Sequence, residues 1–317
     1  MQTLPSHGRD LDGPIRAWVR SPAFTQVLEA FGGRVPGPEE DLSEVLAELD
    51  AFSDRWDFRG GQERNLVVAK ELAPEVERTV LEAAAALGLV GTASPAHREY
   101  DHVLILGGLV RACLARPLHA ATLLADGTIT ARGVTALGGF RPLRGDEHEL
   151  AARFGLAGLD DEFDAMDAGV RQAFGVPEPS SDDGERSDEV GASWAVRGYR
   201  TDAAELRVVA APSSEPGVRR ANTPDTYAWF AKELAQLGGG ERILVVTTDI
   251  YVPFQHADAL RMLALPYGVE VDAVGIRPGD VDERLAQRFV PHNYLQEMRS
   301  TIRAFRQLHA ATLPGSG

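Results

Sequence analysis

The sequence predicts an α/β protein built on a doubly wound, mostly parallel sheet, with an N-terminal helical subdomain. Three observations lead there. First, residues 11 to about 95 carry helical periodicity and no convincing strand. Second, from Tyr100 onward the texture changes to short, almost continuously apolar runs, HVLILGG, GVTALGG, LRVVAAPSS, RILVVTTD and VEVDAVGI. Strands covered on both faces read this way, because alternation disappears when neither face meets water. Third, most of these runs are followed by a helical pattern, and alternating strand and helix implies parallel strands joined by crossovers.

Taken in order, the first part, 1–95, is the helical subdomain. DLSEVLAELDAFSDRW places Leu42, Val45, Leu46, Leu49 and Phe52 on one stripe at helical spacing. Pro74 suits the first turn of PEVERTVLEAAAALG, with Gly88 as its stop. The second part, 96–317, is the α/β domain. NTPDTYAWFAKELAQLGGG and NYLQEMRSTIRAFRQL supply covering helices for the sheet. In the latter, Asn293 and Gln296 have capping-box spacing, and Leu295, Met298, Ile302 and Phe305 form the apolar stripe. Residues 177–193, PEPSSDDGERSDEVGAS, are acidic, serine-rich and nearly without apolar side chains; they read as a mobile surface loop, or as a lid ordered by a ligand. There is no internal repeat.

Composition narrows the function. Of 317 residues 44% are hydrophobic and 25% charged, enough for a buried core. The formal net charge of -15 repels phosphate backbones and anionic lipids, which argues against general nucleic-acid or membrane-surface binding but leaves room for a locally basic pocket. Cys113 is the single cysteine, so neither an intrachain disulfide nor a cysteine-based zinc site can form. The first residues lack a signal-peptide pattern, and no apolar stretch approaches the ~20 residues that cross a bilayer. The expectation is a cytoplasmic, soluble protein with a small-molecule ligand; a homo-oligomer is compatible with the sequence.

In an open parallel sheet, ligands bind at the carboxyl ends of the strands, where helix N-termini converge. After the first strand stand Gly107, Gly108, Arg111 and Arg116; after the second, Gly138, Gly139, Arg141, Arg144, Asp146 and Glu147. After the third come Ser213, Ser214, Arg219, Asn222 and Thr223; after the fourth, Thr247, Thr248, Asp249, Tyr251 and His256. The glycine pairs either allow tight turns or let a ligand approach the backbone. Neither a Gly-x-Gly-x-x-Gly fingerprint nor a P-loop is present. Arg141 and Arg144 either grip an anion or are solvated beside a capped helix, and Asn222 or Thr223 either caps a helix or lines the crevice.

Asp249 can take a proton or cap a turn. Pro253 suits a helix first turn, which puts His256 near a helix N-terminus, where the neutral imidazole is favoured and can act as a base. The alternative is a histidine paired with Asp258 or Asp249. His148 between Glu147 and Glu149 has no His-x-x-x-His companion, so no metal is expected. In RWDFRGGQERN, two arginines flanking a glycine pair either reach over the crevice or merely connect two helices.

The order of these blocks resembles the YdcF-like family, which includes SanA-type proteins. Asp101 and LILGG match its first block, with Arg116 before PLHAATLLADG; ALGG matches the second, DEFDAM an acidic helix start, RANTPDT an Asn-Thr block, and VVTTDIYVPFQHADALR the last. The match spans residues 100–276. It implies a Rossmann-like sheet with an accessory helical part and a small-molecule crevice, in a family where S-adenosylmethionine binding occurs. Val252 departs from the family's histidine, and Gln255-His256 lies near the place of its arginine.

The expected function is therefore an enzyme of hydrolysis or group transfer on a phosphorylated or nucleotide-like small molecule. Asp249, His256 and Glu147 are its candidate catalytic groups, with Glu162 as an alternative partner for a substrate hydroxyl. Gly107, Gly108, Arg111, Arg116, Gly138, Gly139, Arg141, Asn222, Thr223, Thr247, Thr248 and Tyr251 are its candidate ligand contacts. The competing expectation is a non-catalytic binder of a nucleoside or of S-adenosylmethionine, and a third is a scaffold.

Overall fold

The computed structural model describes residues 4–58, 71–91, 94–201 and 204–314. Four helices open the chain: α1 (Asp12–Val19), α2 (Pro22–Ala30), α3 (Leu42–Ser53) and α4 (Pro74–Ala86). Ser21 and Asp41 cap α2 and α3 by accepting the N–H groups of Phe24 and Glu44. Pro74 stands in the first turn of α4. The stripe Leu42, Val45, Leu46 and Leu49 is buried, with Phe52 packed beside it. Of the segment RWDFRGGQERN, residues 59–65 lie outside the described residues. The two arginines that flank the glycine pair, Arg59 and Arg64, are among them, while Arg55 donates to the carbonyls of Phe31 and Phe52.

Then the sheet begins, with β1 (Glu99–Ile105), α5 (Val110–Ala125), β2 (Thr130–Gly138), α6 (Gly145–Ala152) and α7 (Glu162–Phe174). The chain continues through β3 (Ser181–Glu185), β4 (Trp194–Tyr199) and β5 (Glu205–Ala210) to α8 (Thr223–Trp229) and β6 (Arg242–Thr248). It closes with α9 (Val252–Ala259), α10 (Leu265–Tyr267), β7 (Glu270–Ile276) and α11 (Pro291–Thr312). α8 runs into a π-helical turn, Phe230–Leu234, and a second such turn, Leu260–Ala264, joins α9 to α10.

The strand order is β3-β4-β5-β2-β1-β6-β7. β5, β2, β1, β6 and β7 run parallel, while β4 and β3 form an antiparallel extension. All five apolar runs of the sequence are these parallel strands. β3 is a difference from expectation, because it lies inside the acidic stretch that reads as loop. Its residues, SDDGE, are all exposed, and only backbone pairing to β4 makes them a strand. Charged residues on a sheet margin discourage pairing with other chains. At the opposite margin, Val271 of β7 donates its N–H to the Ser6 carbonyl at 2.7 Å.

Successive strand residues feed two separate cores. Leu104, Ile243, Val245 and Val271 face α8, α9, α11 and the N-terminal helices. Val103, Ile105, Val134, Leu244 and Val246 face α5 and α7. This two-sided burial is why the strands lack alternation. The connections made before β5 cover one face and those made after it the other, so the winding reverses between β1 and β6.

α11 is the pillar of the first face. Leu295, Met298, Ile302 and Phe305 are buried, as their spacing predicts. Its start differs from the expected capping box: the helix begins at Pro291, and Asn293 reaches back to accept the Val290 N–H at 2.9 Å. Trp18 of α1 meets Phe305 edge-on at 5.3 Å and donates its indole N–H to the Leu87 carbonyl. His309 bridges Asp12 of α1 (2.9 Å) and Ser43 of α3 (3.1 Å).

Candidate functional site

A cleft of about 570 Å³ opens at the C-terminal ends of β1 and β6, where the winding reverses. Crevices of this kind are where doubly wound sheets hold ligands. One wall is the first turns of α5 and the exposed side of α6, another is the start of α9, and the β7–α11 connection forms the mouth. Gly107, Gly108, Arg111, Arg116, Arg141, Glu147, Thr248 and Tyr251 of the expected site line it.

At the floor the reason for glycine is steric. A Cβ on Gly107 would run into the Leu137 carbonyl and the Glu162 carboxylate. Arg116, only 4% exposed, reaches from α5 beneath this loop. It donates to the carbonyls of Leu106 and Gly107 and, at 3.1 and 3.2 Å, to the Thr248 hydroxyl. Its guanidinium thereby clamps the ends of β1 and β6 together.

Arg141 and Glu147 form a closed unit. The two terminal nitrogens of Arg141 donate to the two Glu147 oxygens at 2.8 and 2.9 Å, a fork-to-fork pair. Glu147 also accepts the N–H of Val110 (3.0 Å), at the first residue of α5, and that of Arg144 (3.2 Å), at the start of α6. Burial opposes its charge, but the Arg141 pairing and these N–H groups hold its pKa below the ordinary value. A carboxylate so satisfied is a poor proton acceptor.

Glu162, at the start of α7, lies behind Arg141, with Nε to Oε2 at 3.4 Å. Burial pushes its carboxyl up to about 7, against the opposing pull of Arg141 and the Gly108 N–H. Arg141 thus separates one firmly ionised carboxylate from one that titrates near neutrality.

The cleft's outer end is basic. Arg111, Arg153 and Arg288 line it, and none pairs with a carboxylate among the described residues. Arg111 donates from one terminal nitrogen to the carbonyls of Arg284 (2.8 Å) and Ala286 (3.3 Å). Burial and the neighbouring charge of Arg153 hold its pKa below the ordinary value. Asp146 and Glu149 stand on the α6 side. The sequence reading missed Arg153, Arg277, Arg288 and Gln255 as cleft residues. A signal existed, since the strand-end rule applied to VEVDAVGI points straight at RPGDVDERLAQRF.

The other expected site residues lie elsewhere. A Cβ on Gly138 would stand 3.0 Å from the Phe163 Cα, so this glycine lets α7 close on β2. Gly139 accepts the Phe163 N–H through its carbonyl. Asn222 caps α8 by accepting the Asp225 N–H, and Thr223 opens that helix. Thr247 is fully buried among the α9–α11 layer, on the face opposite Thr248.

Asp249 and His256, the expected acid–base pair, do not line the cleft. Asp249 is 3% exposed and accepts the N–H groups of Ile250 (2.8 Å) and Gly91 (3.4 Å), with burial raising its pKa. His256 lies in the last turn of α9, not the first. Its Nε2 donates to the Val271 carbonyl at 2.9 Å, which fixes the proton on that nitrogen. Its pKa is lowered, as expected, but the cause is burial rather than the helix field. No cluster of histidine, cysteine, aspartate and glutamate able to hold a metal occurs among the described residues. Nor is any described helix long and apolar enough to cross a membrane.

Comparison with known proteins overturns the YdcF-like and SanA-like resemblance. The family model that matches is described as the Rv3785 N-terminal domain and covers residues 5–88, the span of α1–α4. The short blocks behind the resemblance are strand ends, glycine turns and helix caps, which any doubly wound sheet repeats. No solved structure matches. Full-length relatives include Uncharacterized protein Rv3785 of Mycobacterium tuberculosis (strain H37Rv) and Uncharacterized protein Mb3814 of Mycobacterium bovis. Each is 31% identical over 334 aligned positions, covering 95% of this chain and 89% of the relative. With identity sustained over nearly the whole length, from the opening helices through the sheet, the chain belongs to the Rv3785 family.

Proposed function

We propose that this chain binds a phosphorylated or nucleotide-like small molecule in the cleft between β1 and β6. The observation that carries the reading is the set Arg111, Arg153 and Arg288, three guanidinium groups without carboxylate partners among the described residues, in a chain of net charge -15. The lining carries six arginines, Arg111, Arg116, Arg141, Arg153, Arg277 and Arg288, against three carboxylates, Asp146, Glu147 and Glu149, and such an excess of cations in a concavity favours an anionic guest. The volume, about 570 Å³, falls within the range of small-molecule sites.

Thermal melting with inorganic phosphate, AMP and sugar phosphates tests this. A ligand at 100 times its dissociation constant stabilises by ~2.7 kcal/mol, which displaces the transition measurably. Failure of every phosphorylated compound to displace it would refute the proposal. A second reading, hydrolysis or group transfer on the bound molecule, takes Glu162 as its acid–base group: its carboxyl is pushed up to about 7 while Glu147 is held below its ordinary value, although Glu162 stands behind Arg141 and outside the cleft lining. Environments that split two carboxyls apart suit acid–base work. On this reading, Glu162→Gln lowers turnover ~10²–10⁴-fold while AMP affinity stays put.

A further inference from the structure

Resting on the binding reading above, we infer that the guest lies with its charged group outward, on Arg111, Arg153 and Arg288, and with an uncharged, hydrogen-bonding end at the glycine loop. The ligand class is then a phosphomonoester, and dinucleotides bridged by a diphosphate are disfavoured. In a doubly wound sheet the helix after the first strand ordinarily offers its N-terminal N–H groups to phosphate. Here that place is taken. Val110, the first residue of α5, gives its N–H to Glu147, while Ala112 and Cys113 bond back to the Leu109 carbonyl at 2.8 and 3.1 Å. The protein's own carboxylate occupies the anion position, and a phosphate arriving beside it would meet a like charge.

The cations at this inner end are also engaged. Arg141 directs all five N–H groups to Glu147, Glu162 and the carbonyls of Gly108 and Pro142. Arg116 serves the two strand ends. What remains at the floor is suited to a neutral group: the Tyr251 ring, the Thr248 hydroxyl and the Gln255 amide. The outer end is the reverse. Arg153 and Arg288 are exposed and lack carboxylate partners among the described residues, Arg111 keeps donors beyond the one that holds two carbonyls, and Asp146 and Glu149 stand on the α6 side without pairing to any of the three. Charge complementarity therefore orders the guest along the cleft.

The test is calorimetric titration of the full chain with AMP, adenosine, inorganic phosphate and NAD at one ionic strength. AMP is expected to bind at least tenfold more tightly than adenosine and at least tenfold more tightly than NAD. The double variant Arg153→Ala/Arg288→Ala, altered only at exposed positions, is expected to lose at least tenfold in AMP affinity and to leave adenosine unchanged. AMP binding that ignores the double substitution, or NAD outbinding AMP in the parent, overturns the orientation alone. Absence of binding by AMP, phosphate and NAD alike overturns the orientation together with the phosphate-recognising reading beneath it.

Discussion

Glu162 and Glu147 are two carboxylates that share one arginine and differ in which charge state the fold prefers. For Glu162 the folded protein raises the pKa from 4.5 to about 7. Between those values the folded chain holds a proton that the unfolded chain has released, so stability falls as pH rises through this window and levels off above it. The shift corresponds to something on the order of 3 kcal/mol. Glu162→Gln is expected to flatten the decline in melting temperature between pH 5 and pH 8, and an unchanged slope would show that Glu162 is not its source. None of this was legible in the letters: DEFDAM reveals an acidic helix start, but which of its acids sits behind an arginine depends on how α7 closes on the end of β2. Arg111 and Arg116 were legible as residues of the cleft because they follow a strand end. Their division of labour, one open and one a clamp, was not.

At the scale of elements, the parallel strands announced themselves through two-sided burial, and β3 did not because it buries nothing. Its existence depends on β4, and a stretch with no apolar side chain carries no signal of that pairing. The π-helical turns after α8 and α9 were equally silent, since they change backbone bonding and not the identity of the buried face. α9 carries a prediction of its own. His256 binds it to β7 through the Val271 carbonyl, in a buried setting. His256→Ala should cost about 1–3 kcal/mol by leaving that carbonyl unsatisfied. It should not alter AMP affinity, because the ring faces away from the cleft. Urea denaturation alongside titration checks both halves, and a large affinity loss without a stability loss would return His256 to the site. The mismatch with expectation has a simple origin: Pro253 correctly marked the helix start, but three more residues carried the ring round to the sheet.

Across the whole molecule, the opening helices and the sheet do not have separate interiors. One apolar cluster runs from Leu11 through Leu46, Val245 and Phe254 to Leu308. The sequence announces a helical part and a sheet part through their periodicities, yet periodicity cannot say whether two parts share a core. Leu46, fully buried on α3, tests this. Leu46→Ala is expected to cost about 2–5 kcal/mol, and calorimetry should show one transition displaced as a unit. Two transitions, with only one moving, would mean that the helices and the sheet unfold independently.

The stretch between β7 and α11 contributes Arg277, Leu285, Gln287 and Arg288 to the rim while supplying no strand to the framework. On the binding reading proposed above, a chain that lengthens, shortens or recolours that single span changes which guest is admitted, with the ladder of hydrogen bonds beneath left as it was. Within this family, selectivity is expected to drift there first.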